Sequence, residues 1–314
     1  MLIALLILIG FVLLMLASGA YIFCVACCRG REVNWLDERS VCDTSYGRYY
    51  SQIVAADHWL KLKGAQDVFV DAADGLRLHG LWVSAPDAKG TVILLHGYRS
   101  TYLVDSSMAL EFYYEAGYNL LIPDQRAHGK SEGKFITFGV KESSDVLKWI
   151  KFHNHTFGEI CVILSGLSMG ASTVLYVADQ NLPENVKGII ADCGFTSPKA
   201  ILSEVYRKVT HLPPVFSMWA VDLFTRVFAG FSITKKDTRK TLSNSRVPVL
   251  MIHGSEDGFV PCKMSHDGYS ACNGKKKLLI VDGADHGVSF IKDREGYTNA
   301  VVSFLEENVD SIQF

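Results

Sequence analysis

Ile160-Cys161-Val162-Ile163-Leu164-Ser165-Gly166-Leu167-Ser168-Met169-Gly170-Ala171-Ser172 is the stretch on which the fold turns. The run from Ile160 to Leu164 is apolar without alternation, as a strand buried on both faces requires. A G-x-S-x-G turn follows, and small residues then open a helical spacing over Ala171 to Asp179. Strand, tight turn and helix together lift Ser168 above a sheet edge, because side chains in place of Gly166 and Gly170 would collide with neighbouring backbone. The same letters in a Gly-rich loop with an incidental serine would lack that strand and helix.

Outward from this centre the chain repeats the alternation. Asp67 to Val70 and Leu76 to Val83 are β-rich runs joined through Asp74-Gly75, which predicts a hairpin. Thr91 to Leu95, Asn119 to Pro123, Gly188 to Ala191, Val247 to Ile252 and Lys277 to Val281 are further short apolar runs. Helical spacing fills the intervals at Ser106 to Ala116, Ser143 to His153, Lys263 to Ala271 and Asp293 to Glu307. The pattern predicts an α/β fold: a mostly parallel sheet with helices on both faces. The interval after the sixth strand is several times longer than one helix needs, and by resemblance to capped members of such folds residues 196–244 are expected to form a helical cap. There Phe216, Ala220, Leu223, Phe224 and Val227 fall on one helix face, which with Trp219 either lines an acyl pocket or packs on the sheet.

A serine needs a base, and the base needs an acid that fixes its tautomer. Asp257 follows one late strand and His286 the next, in the order Ser168, Asp257, His286. Glu256 and Asp192 are rivals for the acid, and Asp257 is preferred for its Asp-x-x-Val-Pro setting; Asp285 reads as a structural neighbour of the histidine. Developing oxyanion charge requires donors. The amide of Met169 follows the nucleophile directly, and the His96-Gly97-Tyr98 turn after Thr91 to Leu95 offers the amide of Tyr98, with His96 itself structural. The polar cluster Asp124 to Gly133 reads as architecture in which Arg126 and Asp124 pair. No metal or other cofactor is implied, since no second group of His or carboxylates stands at ligand spacing.

The chain has 314 residues, 49% hydrophobic and 20% charged, which excludes a disordered chain and a minimal scaffold. Its 31 basic and 33 acidic residues give nucleic acid no electrostatic foothold. Residues 1–28 contain no charge. As a helix rising about 1.5 Å per residue they exceed the roughly 30 Å of bilayer hydrocarbon. No Lys or Arg precedes the run, so a retained single-pass anchor is preferred over a cleaved signal peptide, whose cleavage site would fall near Ala17 to Ala20. Arg29 and Arg31 then place the following domain on the cytoplasmic side. Of eight cysteines, Cys24, Cys27 and Cys28 lie at the end of that run, where they read as small apolar residues or acylation sites; the other five are odd in number and show no CxxC spacing, which argues against a disulfide framework. The expected organisation is an anchor over 1–28, a connecting arm over 29–65 and a catalytic domain over 66–314.

His96-Gly97, Asp124 to Gly133, Gly166 to Gly170, Asp257 to Pro261 and Asp285-His286-Gly287 together resemble the α/β-hydrolase superfamily. Within it they are similar to the branch of bacterial serine aminopeptidase-like and dienelactone-hydrolase-like proteins, and Asp192 to Ser197 is shared with membrane-anchored members. The resemblance spans about 250 residues and implies a Ser-His-Asp hydrolase acting on a small acyl substrate. An ester is the leading substrate class; a peptide or thioester with the same triad, or a non-catalytic binding member of the fold, are the alternatives.

Overall fold

The computed structural model describes all residues except 32, 43, 45, 108 and 310–314, and the side chain of Phe216 also lies outside the described set. Thirteen α-helices are described: α1 (Leu2–Cys27), α2 (Glu38–Cys42), α3 (Tyr50–Leu62), α4 (Tyr102–Asp105), α5 (Ala109–Glu115), α6 (Glu142–Phe157), α7 (Met169–Leu175), α8 (Pro198–Thr210), α9 (Val215–Phe224), α10 (Thr238–Ser243), α11 (Lys263–Ala271), α12 (Ser289–Lys292) and α13 (Arg294–Asn308).

Eight strands form one sheet: β1 (Gln66–Asp71), β2 (Arg77–Val83), β3 (Gly90–Leu95), β4 (Tyr118–Pro123), β5 (Cys161–Leu167), β6 (Val186–Asp192), β7 (Val249–Gly254) and β8 (Lys276–Val281), in the order β1-β2-β4-β3-β5-β6-β7-β8. β1 and β2 form the antiparallel hairpin, with Gly75 in the left-handed region at its turn, and β2 also runs antiparallel to β4. All other pairs are parallel. Every residue of β3, β4 and β7 is buried, which is why these strands read as unbroken apolar runs. Edge strand β1 instead alternates between exposed and half-buried positions.

Two cores flank the sheet. Tyr113, Val301 and Phe304 from α5 and α13 pack on one face, and Trp149, Ala171 and Val174 from α6 and α7 on the other. The segment read as a connecting arm is part of the first core: Val41 of α2 and Ile53 and Leu60 of α3 are buried there. Trp35, Tyr46, Tyr50 and Trp59 of this segment pack against the same core.

A third core joins α1, the loop around Ile136, and the cap that α8 to α10 form between β6 and β7. Helix α1 is uncharged and long enough to cross a membrane, and the residues it buries are Gly19, Phe23 and Cys27, all in its C-terminal third. At Gly19 even a Cβ would collide with Ala220 of α9, so a small residue permits the close approach. Ser18 and Ser217 hydroxyls lie 2.9 Å apart, and Phe23 stacks with Phe224. Of the cap's apolar face, Ala220 and Phe224 pack on α1, while Trp219 and Leu223 are exposed.

Candidate active site

In a parallel sheet the loops after the strands gather at one edge. β5 ends at Leu167, and Ser168 adopts φ 55 and ψ −111 as N-cap of α7. A non-glycine residue there is strained, and the surroundings hold it. The Ser168 amide donates to the Asp192 carbonyl at the end of β6 (2.8 Å). A Cβ at Gly166 would strike the Gly170 backbone, and one at Gly170 would strike the Leu95 carbonyl, so both flanking glycines are sterically required.

β7 delivers Asp257 and β8 delivers His286. His286 Nδ1 donates to Asp257 Oδ2 (2.7 Å), which leaves Nε2 bare to accept from the Ser168 hydroxyl at 2.9 Å. The acid is held from four sides. Asp257 Oδ1 accepts from the Phe259 and Val260 amides, both at 2.8 Å, and Oδ2 also lies 3.1 Å from His253 Nε2. Burial alone pushes this carboxyl up, but the hydrogen bonds from His253 and His286, with the His286 charge and the Phe259 amide, hold it well below the usual carboxylate range. A carboxylate that stays ionised keeps the histidine in one tautomer.

The structure brings the other candidates into this edge as well. Gly97 packs against Ser168, with room for no more than a tight Cβ contact at 3.3 Å, so the Tyr98 turn lies beside the serine. The amides of Tyr98 and Met169 make no hydrogen bond to the protein among the described residues. Gly97 N donates to half-buried Asp105 Oδ2, and Asp105 Oδ1 accepts from Ser100 Oγ (2.7 Å), which pins the turn. Nothing in the sequence singled out Asp105, because its partner is brought near only by the fold.

His96 is locked: its Nδ1 donates to the Gly97 carbonyl (2.8 Å) and its Nε2 accepts from the Gln125 amide (3.0 Å). His128 is bound likewise between the Arg126 carbonyl and the Arg99 amide, and burial with the nearby His96 pulls it down to about 3. Asp285 Oδ1 accepts from the Gly258 and His286 amides, tying the acid loop to the histidine loop. Glu256 is exposed.

The expected pairing of Arg126 with Asp124 does not occur. Arg126 is nearly buried and makes a two-pronged contact with Asp145 of α6, both arms at 2.7 Å, and an ion pair with Asp74 of the hairpin. Asp124 accepts instead from His79 Nδ1 (2.7 Å) and the Lys130 amide. Closeness in the chain gave way to partners that satisfy a buried guanidinium bidentately. Ligand atoms of Cys193, Asp257 and His286 lie within 4.8 Å of one another. Asp257 Oδ2 and both imidazole nitrogens are already committed, however, and burial pushes the Cys193 thiol up.

Asp192, the other rival acid, is fully buried and raised to about 6 by that burial; Ser289 Oγ donates to its Oδ1 at 3.4 Å. A folded value above the unfolded one of about 3.9 favours folding of the neutral form; that contribution is complete below about pH 4 and is lost as pH rises through about 6. Asp192→Asn is therefore expected to raise unfolding free energy by about 1–3 kcal/mol near pH 8 and by little near pH 4. Urea denaturation at the two pH values checks this, and an equal gain at both would contradict it.

Comparison with known proteins gives this chain its relatives. A family model described as serine aminopeptidase, S33, matches residues 86–240, which hold Tyr98, Ser168 and Met169 but end before Asp257 and His286. Among curated proteins, the uncharacterised YqkD of Bacillus subtilis is 29% identical over 245 residues, 78% of this chain and 80% of that one. YfhR of Escherichia coli K12, also uncharacterised, is 24% identical over 266 residues, 82% and 85% of the two chains. Among solved structures, the Pyrococcus furiosus esterase Pf2001 superposes with a TM-score of 0.64 at 25% identity, covering 79% of this chain and 94% of the esterase. Est1E of Butyrivibrio proteoclasticus, solved with ferulic acid, gives 0.59 at 20% identity, 77% and 99% of the two chains, a likeness of fold. With its eight-stranded sheet, its cap after β6 and this family match, the chain belongs to the α/β-hydrolase superfamily.

Proposed function

We propose that this protein is a membrane-anchored serine hydrolase that cleaves carboxylic esters through an acyl-enzyme. The observation that carries the reading is the relay from Asp257 through His286 to Ser168, 2.7 and 2.9 Å long, ending on a serine held at φ 55. His286 Nε2 takes the hydroxyl proton as Ser168 Oγ attacks the carbonyl carbon. Charge on the carbonyl oxygen is received by the Tyr98 and Met169 amides, and the imidazolium is stabilised by ionised Asp257. The proton passes to the departing alkoxide, leaving an acyl ester on Ser168. Water, deprotonated by the same Nε2, then releases the acid and restores the serine. The esterase neighbour Pf2001 supports an ester substrate, while the family model's description keeps a peptidase as the second reading.

Retention of α1 is supported by what the folded body asks of it. The Tyr98 hydroxyl donates to the Ala26 carbonyl (2.9 Å) and Arg99 to the carbonyls of Val25 and Cys28. The amide of Ile136 donates to the Cys27 carbonyl (2.7 Å). Cleavage after Ala20 would leave these acceptors on the chain but would remove Ser18 and Gly19, which meet Ser217 and Ala220 of the cap. In this reading residues 1–28 are the anchor, 196–244 the cap and 66–314 the hydrolase domain with 29–65 docked on it. Arg29 and Arg31 keep the domain cytoplasmic.

The full chain in a cell membrane fraction is expected to hydrolyse p-nitrophenyl esters at least about tenfold faster, in kcat/KM, than matched acyl-CoA thioesters or aminoacyl amides. Its domain should resist protease added outside intact cells. Preference for amides would instead make it a peptidase, and digestion by external protease would reverse the topology.

A further inference from the structure

The apolar face of the cap is turned outward. Val215, Trp219, Leu223 and Val227, spaced four residues apart, are 68, 46, 44 and 64% exposed, and the tip of the α8–α9 hairpin adds exposed Leu212, 55%. The charged residues beside this stripe, Asp222 and Arg226, pair with each other at 2.8 Å. The opposite side of α9 is taken by α1: Ser18 meets Ser217, Gly19 meets Ala220, and Phe23 meets Phe224 and Phe228. These contacts advance in the same direction along both helices, so α9 runs parallel to α1 and its exposed stripe continues the outer surface of α1. Residues 2–14 of α1 are exposed and uncharged, about 20 Å of helix beyond the docked segment. Whatever covers that length lies directly beside the stripe, and for an uncharged helix of this length it is lipid hydrocarbon.

We propose that α9 and the hairpin tip dock in the lipid bilayer alongside α1, with Leu212 and Val215 deepest and the stripe facing the acyl chains. Because α9 runs along a spanning helix, its stripe meets acyl chains toward Leu212, while the paired charges of Asp222 and Arg226 lie toward the headgroups. The seat has a consequence for the site. Lys208 near the end of α8 donates to the Gly258 carbonyl (2.7 Å), so the membrane-facing hairpin is tied to the loop that carries Asp257. The inference rests on α1 being an anchor.

The test uses the full chain reconstituted in phosphatidylcholine and phosphatidylglycerol vesicles whose acyl chains carry bromine, a short-range quencher of indole emission. The part of the emission that disappears in Trp219→Phe is expected to be quenched by at least about half. A Leu223→Trp change added to that variant should restore a quenched signal, which guards against a local effect of the first substitution. Unquenched Trp219 emission from a chain that still resists alkaline extraction would overturn the docking alone. So would shielding of Trp219 by a second copy, seen as disulfide cross-linking of a Leu223→Cys variant without quenching. Release of the chain by alkaline extraction would overturn the anchor and the docking together.

Discussion

Replacing Ser168 with Ala is expected to lower p-nitrophenyl ester hydrolysis by about 10⁴-fold or more, with the fold intact. The substitution deletes the one oxygen to which His286 Nε2 is hydrogen-bonded and leaves Asp257, the amides and the cap in place. Alanine removes nothing that packs, since the Ser168 hydroxyl's partner is the imidazole. Its φ of 55 is no better suited to Ala than to Ser, so the thermal midpoint should move little while turnover falls to the level that binding and oxyanion donors supply. Steady-state rates beside a thermal melt of both proteins separate the two effects. Activity within about tenfold of wild type in a folded variant would remove Ser168 from the mechanism.

Asp257→Asn is expected to cost about as much, about 10⁴-fold in kcat, for a different reason. Asp257 accepts on both oxygens: two backbone amides on Oδ1, and His286 with His253 on Oδ2. An asparagine carries two N–H donors on one of those positions and so cannot match this set in either orientation. If its NH₂ faces the Phe259 and Val260 amides, donors oppose donors and the acid loop is destabilised. If it faces His286, the imidazole must accept at Nδ1, the proton moves to Nε2, and the base is lost. Rates compared with Asp257→Glu, and a melt to find any loop damage, distinguish these outcomes. Retention of a tenth or more of wild-type kcat by Asp257→Asn would mean that Asp192 or another carboxylate orients the base.

Much of this arrangement is legible in the chain because the physics that makes it is local. β3, β4 and β7 are buried on both faces, so their sequences could not alternate, and Asp74-Gly75 could only turn. Gly166 and Gly170 reveal the turn around Ser168 because backbone stands where their side chains would be. Helix α7 begins at Met169, two residues before the periodic signal, since Ser168 itself serves as its N-cap.

What stayed hidden depends on which surfaces meet. The pairing of Arg126 with Asp145 and Asp74 joins three elements, and no spacing announces it. Asp105 sits at the end of α4, which Thr101 caps through the Leu103 amide, where the sequence suggested only a helix beginning at Ser106. Helical periodicity marked one apolar face in the cap but could not say whether protein or lipid covers it. That depended on Gly19, whose bare backbone lets α1 claim the other face of α9.

The central claim is that the hydroxyl of Ser168, and no other group, is made nucleophilic by this relay. Peptide mapping by tandem mass spectrometry after reaction of the full chain with a fluorophosphonate tests it most directly. A single phosphonyl adduct on Ser168 is expected, lost when His286 is replaced by Ala. An adduct on another residue, or an unreacted Ser168 in folded protein, would contradict it.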